Sequence, residues 1–328
     1  MRFSRFKYQF FILSLIGMVA MFAFTYGYHG GFERSISFNG GVRLTIQLPD
    51  GMDRDDLLAA AEKAGLPGAS ARVVDFKRNQ YDLEFGPDVR DRIKAEIKEF
   101  EKQQDAQAEK DVAEGREPGK KETRTVAGEI EKLILPQLSI TAENVISKAA
   151  ISPSYGQELF ETALWSLGWA IGLIGVYLTF RFDFPFALGA SAALVHDLIF
   201  TLGFIGVMQI EPSVPVVAAV LTVLGYSIND TIVIFDRIRA NIDDINQAAQ
   251  PAIMDEAITQ TLSRTVLTSV LTLIAVIALI VGGATSLVDF AYIILFGILI
   301  GTYSSIFIAS HLVQVYTAIR KKARKGNA

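Results

Sequence analysis

Residues 225–238 read GYSINDTIVIFDRI, and Asn229 and Asp230 fall in the middle of a stretch that is otherwise apolar. The run belongs to a segment at about 214–235 that is long enough to cross a bilayer, since ~20 mostly apolar residues span the hydrocarbon core. An ionised aspartate at the centre of such a helix costs ~2.5 to 3.5 kcal/mol even on the lenient insertion scale. Asp230 must therefore face protein or water. Helical spacing puts Tyr226, Ser227, Val233 and Ile234 on its side of the helix, with Asn229 about a quarter turn away.

Working outward, five further stretches meet the same length and composition, at about 9–28, 160–180, 184–208, 265–283 and 287–313. The first is followed by a long polar region, and the other five are joined by short connections. This predicts one helix, then a domain at 29–158, then a five-helix run at 159–315 and a basic tail at 316–328. The bulk composition agrees: 51% of the 328 residues are hydrophobic and 22 are Phe, too apolar for an ordinary soluble domain. The formal charge of −4 is small for this length and points to no nucleic-acid partner. With no Cys, disulfides, thiol nucleophiles and Cys-ligated zinc are excluded.

Arg2, Arg5 and Lys7 precede the first apolar run, as they would in a signal peptide, but the run is long and no A-x-A-like site follows it, so a retained anchor is expected. Basic residues near the span ends set orientation. With the N-terminus inside, the inner side receives Arg181, Arg237, Arg239 and the tail from Arg320 to Lys325, while the outer connections carry Glu211 and Asp289. Both termini are thus expected in the cytoplasm and the 29–158 domain outside.

That domain reads as α+β. VRLTIQL (42–48) alternates like a strand, RDDLLAAAEKAG (54–65) is an amphipathic helix stopping at Gly65, and ARVVDF and YDLEF flank KRNQ as a hairpin. DVRDRIKAEIKEFEKQ (88–103) supplies a second helix. The β-α-β-β-α order with a closing strand predicts a ferredoxin-like sandwich. The charged stretch at 103–125 has little apolar surface and is expected to be a solvated extension or flexible loop. Residues 236–263, interrupted by Pro251, are expected to form two short interfacial helices in a cytoplasmic loop.

Inside the bundle, TQTLSRTVLTSVLTL places Thr261, Arg264, Thr265, Thr268 and Thr272 at intervals of three and four, a polar face on an apolar helix. Arg264 enters near the depth of Asp230, and an ion pair is expected; headgroup anchoring of Arg264 is the alternative. ALVHDLIF carries His196 and Asp197 near the middle of the third span. A carboxylate beside an imidazole suits a proton relay, or a hydrogen-bonded pair that fixes packing. One His and one carboxylate are too few to hold a metal. Gly168, Gly172 and Gly175, and Gly297, Gly301, Ser304 and Ser305, are expected to let helices approach closely. There is no GxxxxGK[ST] phosphate loop and no other enzyme motif, so no catalytic residue or cofactor is assigned and ion coupling remains as the physical role.

The stretches FNGGVRLTI, ISPSYGQEL, VHDLIFTLG, GYSINDTIVIFDRIRAN, QTLSRTVLTS and GTYSSIFIAS, in this order, resemble those of the SecD/SecF family of bacterial protein-export subunits. The resemblance implies a resistance-nodulation-division fold: a membrane α-helical bundle of six transmembrane helices with an α+β, ferredoxin-like extracytoplasmic domain. It further implies SecD as a partner, association with the SecYEG channel and YajC in the lipid of the inner membrane, an unfolded preprotein as cargo, and use of the proton or sodium gradient. By motif, the family's ion-pathway aspartate falls on Asp230 and its arginine on Arg264. Ser37 departs from the pattern, standing where the family often has Asp, so a role for that carboxylate does not carry over. A small-molecule or lipid exporter of the same superfamily and a passive scaffold are the competing classes; exporters of that kind usually carry twelve helices and two outer domains in one chain.

Overall fold

The computed structural model describes residues 3–32, 36, 40–75, 78–114, 116–117, 121–282 and 287–326; Arg2, Ser37 and Lys77 lie outside the described residues. The chain divides into two compact units, residues 34–161 and residues 1–33 with 162–328.

In the first unit, β1 (Gly41–Gln47), α1′s successor in the chain order being α2 (Arg54–Lys63), is followed by β2 (Ser70–Asp75), β3 (Gln80–Phe85), α3 (Pro87–Ala113), α4 (Val126–Leu138) and β4 (Val145–Ile151); α1 itself (Lys7–Tyr28) belongs to the second unit. The sheet order is β2-β3-β1-β4 with every pair antiparallel, the ferredoxin-like arrangement. Alternation along β1 sends Val42, Leu44 and Ile46 to the helix side, where they join Leu83, Phe85, Leu57, Ile93, Ile130 and Ile134 in one core. Arg43 and Thr45 point the other way and meet Glu84 and Asp82 across the β1–β3 register. Asp53 caps α2 by accepting from the backbone N–H groups of Asp55 and Asp56, and Gly65 (φ 71°) closes the turn after it. Gly41 cannot be replaced without displacement, because a Cβ there would lie 2.2 Å from the Phe85 carbonyl oxygen.

The stretch 103–125 differs from expectation. α3 continues to Ala113, and the returning chain is held against it: Lys121 Nζ lies 2.7 Å from Asp105, the Glu122 N–H donates to Gln104 Oε1 at 3.2 Å, and the Arg124 guanidinium sits 3.4 Å from the centre of the Phe100 ring. A hydrogen bond to Asp105, reinforced by its charge, raises the Lys121 ammonium above its ordinary pKa. The reason is propensity: Gln, Ala, Glu and Lys are strong helix formers even where no apolar face is present. α4 is a further helix that the sequence reading left unassigned, with Ile130, Ile134 and Leu138 buried.

In the second unit, and among the described residues, six helices are long and apolar enough to cross a membrane. They are α1, α5 (Pro153–Arg181, in this unit from Thr162 onward), α6 (Phe184–Val207), α7 (Val214–Ala240), α8 (Pro251–Val281) and a composite of α9 (Val288–Ser304), a π-helical turn (Ser305–Ala309) and α10 (Ser310–Gly326). α6, α7 and the composite are the interior members, whereas α1, α5 and α8 leave most of their apolar surface uncovered within this chain. The two interfacial helices expected over 236–263 are not separate elements. α7 runs on to Ala240, a 3-10 turn covers Ile245–Ala249, and Pro251 opens α8, since a proline at the first helical positions loses no hydrogen bond. Ser4, in the 3-10 turn Phe3–Phe6, ties the start of α1 to α8 by donating from N–H and Oγ to the Asp255 carboxylate, both at 2.8 Å.

Candidate functional site

The site is built where α7 and α9 run parallel in close contact. A Cβ on Gly297 would lie 2.2 Å from Val223 Cγ2, and one on Gly301 would lie 2.9 Å from Ser227 Cβ. One further turn along, Ser305 Oγ meets Thr231 Oγ1 at 2.7 Å. Val223, Ser227 and Thr231 thus face Gly297, Gly301 and Ser305 in steps of four, the small-xxx-small packing that lets two membrane helices touch. Gly168, Gly172 and Gly175 on α5 have nothing within 4 Å of an added Cβ, so this stripe makes no close helix contact within the chain.

Close approach brings hydroxyls onto a buried carboxylate. Asp197, on α6, is completely buried. Its Oδ2 accepts from Ser304 Oγ at 2.6 Å and from Ser227 Oγ, while Oδ1 lies 2.8 Å from His196 Nδ1. The far side of the imidazole, Nε2, is 3.2 Å from Ser14 Oγ on α1. Ser14 Oγ lies 2.9 Å from the Tyr303 hydroxyl, which donates to the Phe10 carbonyl at 2.9 Å. Four helices therefore converge on one polar chain.

Asp230 is also buried, at 3% exposure, yet it has less support. Thr302 Oγ1 donates to its Oδ2 at 3.5 Å, and Ser269 Oγ on α8 stands 2.9 Å from Thr302 Oγ1. The expected ion pair is not closed: among the described residues, no pairing within 4 Å joins Arg264 to Asp230, and Arg264 lies on the exposed side of α8. The polar face of α8 is split, because neighbouring residues point about 100° apart: Thr261, Thr265 and Ser269 turn inward, while Arg264 turns out. Thr268 gives its hydroxyl to the Arg264 and Thr265 carbonyls on its own helix, and Thr265 Oγ1 is buried with no hydrogen-bond partner among the described residues. Asn229 is exposed. Ser227, expected beside Asp230, serves Asp197 instead.

Sequence reading missed Ser14, Ser269, Thr302 and Tyr303. The available signal was the run Thr302-Tyr303-Ser304-Ser305 inside an apolar helix, followed by the π-helical turn in which Ser310 Oγ reaches back five residues to the Ser305 carbonyl at 3.0 Å. No group of three or more His, Cys, Asp or Glu positioned to hold a metal occurs among the described residues.

Six spanning helices, a ferredoxin-like domain and carboxylates buried between the helices define a multi-pass membrane protein with ionisable groups in its core. The chain belongs to the SecD/SecF protein-export family: residues 135–318 match the family described as protein export membrane protein SecD/SecF, C-terminal. It is 33% identical to the protein translocase subunit SecDF of Thermus thermophilus over 91% of this chain, an alignment that spans 36% of that longer relative. It is 29% identical to SecF of Borreliella burgdorferi over 97% of this chain and 98% of the relative. The crystal structure of SecDF from Thermus thermophilus, described as a translocon-associated membrane protein, superposes with a TM-score of 0.72 at 29% identity, covering 96% of this chain and 38% of the solved one.

Proposed function

We propose that this chain works with SecD as a SecF-type subunit, beside the SecYEG channel and YajC, and uses the proton or sodium motive force to promote preprotein movement across the bacterial inner membrane. It is a transport subunit, with both termini cytoplasmic and the ferredoxin-like domain on the outer side. Asp230 takes up and releases the coupling ion, and Arg264 is its through-space counter-charge.

The observation that carries this reading is the setting of Asp230. A carboxylate 3% exposed in a spanning helix, with one long hydrogen bond from Thr302 and no ion-pair partner within 4 Å among the described residues, is costly to keep charged. Such a group does work when its charge is cancelled and restored, because the preferred helix packing differs between the two states. The uncovered apolar surfaces of α1, α5 and α8 support a companion membrane subunit.

The test uses inverted membrane vesicles loaded with a preprotein partway through export. Asp230→Asn should assemble at normal abundance and lose the gradient-stimulated component, leaving the ATP-driven component. Unchanged stimulation in that variant removes Asp230 from the mechanism.

A further inference from the structure

The polar chain from Asp197 to α1 contains more contacts than a neutral imidazole can satisfy. Four contacts lie in series: Asp197 Oδ1 to His196 Nδ1 at 2.8 Å, His196 Nε2 to Ser14 Oγ at 3.2 Å, Ser14 Oγ to Tyr303 Oη at 2.9 Å, and Tyr303 Oη to the Phe10 carbonyl at 2.9 Å. Each needs one hydrogen. A backbone carbonyl only accepts, so the Tyr303 hydrogen is committed to Phe10. Ser14 must then donate to Tyr303, and it has no second hydrogen to give to the imidazole. His196 Nε2 must therefore carry its own.

The fourth hydrogen lies between His196 Nδ1 and Asp197 Oδ1, on either atom. The two side chains together then hold one proton more than an ionised carboxylate beside a neutral imidazole. The other oxygen of Asp197 accepts from Ser227 and from Ser304, whose single hydrogen takes this shorter contact at 2.6 Å over the Gly301 carbonyl at 3.1 Å. Among the described residues, no other side chain lies within hydrogen-bond distance of the His196 or Asp197 side chain. Among the described residues, the buried titratable groups on the elements packed against α6 are Asp230 on α7, engaged with Thr302, and His311 on α10, with Nδ1 at the Phe307 carbonyl; Tyr303 on α9 is already in the chain, and α1 contributes Ser14 and Thr25 as its buried polar residues.

We propose that His196 and Asp197 jointly bind one proton, and that Ser14 and Tyr303 are positioning residues that turn its presence into a latch between α1 and α9. When the proton leaves, one of the four contacts loses its hydrogen. The buried carboxylate is held by two serines, so the break falls on the α1 side, freeing Ser14 from His196, or Ser14 or Phe10 from Tyr303. This second proton site deepens the gradient-coupling reading and rests on it for its purpose, while its chemistry stands apart from it.

The test reads the imidazole directly. Full-length protein carrying 15N-labelled histidine, in lipid nanodiscs, is titrated from about pH 5 to about pH 9 by solid-state NMR, with His196→Gln assigning the His196 signal among the three histidines. The expected result, with aspartate 13C-labelled as well, is a His196 ring that carries hydrogen on Nε2 at the acidic end and a loss on titration of the shared proton, seen at the ring or at the Asp197 carboxyl. Ser14→Ala and Tyr303→Phe should each weaken proton binding about tenfold, the scale of one hydrogen bond to a charged group. A ring and an Asp197 carboxyl that both keep their protonation across that range overturn the proposal, as does a titration unmoved by both variants. If the ring titrates as expected while export ignores the gradient, the latch stands and the functional reading above fails.

Discussion

Asp197 and Asp230 are both buried carboxylates, and their surroundings give them different work. Asp197 accepts from two serine hydroxyls and faces His196, so its charge has a built cradle. Removing the acceptor leaves donors buried without partners, and Asp197→Ala should destabilise the bundle by on the order of 2 kcal/mol or more. Thermal unfolding in detergent is the measurement. Asp230 has a single long bond from Thr302, so Asp230→Asn should unfold within about 1 kcal/mol of the parent while losing gradient coupling. Arg264→Met should likewise leave thermal stability nearly unchanged, because no ion pair is broken, yet reduce coupled export. Both aspartates and His196 were legible in the sequence, since a charge in an apolar run of spanning length announces itself. Ser14 and Tyr303 were not. A lone hydroxyl in such a run carries no sign of its partner, which for Ser14 lies 182 residues away.

At the scale of elements, the parallel contact of α7 and α9 is the tightest and most testable feature. Gly297→Ala would push a methyl group into Val223, and overpacking of this kind costs ~1–3 kcal/mol. Val223→Ala should restore much of the loss. Gly172→Ala meets nothing within 4 Å and should be neutral or slightly stabilising for this chain. The same thermal unfolding series compares the three, and equal costs at Gly297 and Gly172 would contradict the packing described. The spacing of small residues on α5 and α9 looks alike in sequence; which stripe is buried depends on neighbours far along the chain. The outer domain shows the converse. Strand alternation made β1, β2 and β3 readable, while the length of α3 was hidden because its distal half is held by propensity and by pairs such as Lys121 with Asp105 and Arg124 with Phe100. None of the described residues in 104–124 enters the domain core. Replacing 104–121 with a short Gly/Ser turn should therefore leave the melting temperature of the isolated 34–161 unit within a few degrees, provided that unit is first shown to fold alone.

For the whole molecule, six helices are long and apolar enough to cross a membrane among the described residues, and the inward placement of both ends in the proposed function rests on the basic residues near Arg181, Arg237 and Arg320. The order of one helix, a domain and five helices was legible because span length and composition are local properties. The packing order, with α6, α7 and α9 inside and α1, α5 and α8 outside, was not, because all six are comparably apolar. In the proposed cycle the charge on Asp230 selects between two packings of the surrounding helices. Infrared difference spectroscopy, with aspartate isotope-labelled and full-length protein in nanodiscs stepped between acidic and alkaline buffer, tests it most directly. A protonated-carboxyl band should appear on acidification, be absent in Asp230→Asn, and be accompanied by an amide change that the variant also lacks. A carboxyl that stays ionised at every working pH, or an amide change that persists in Asp230→Asn, would contradict it.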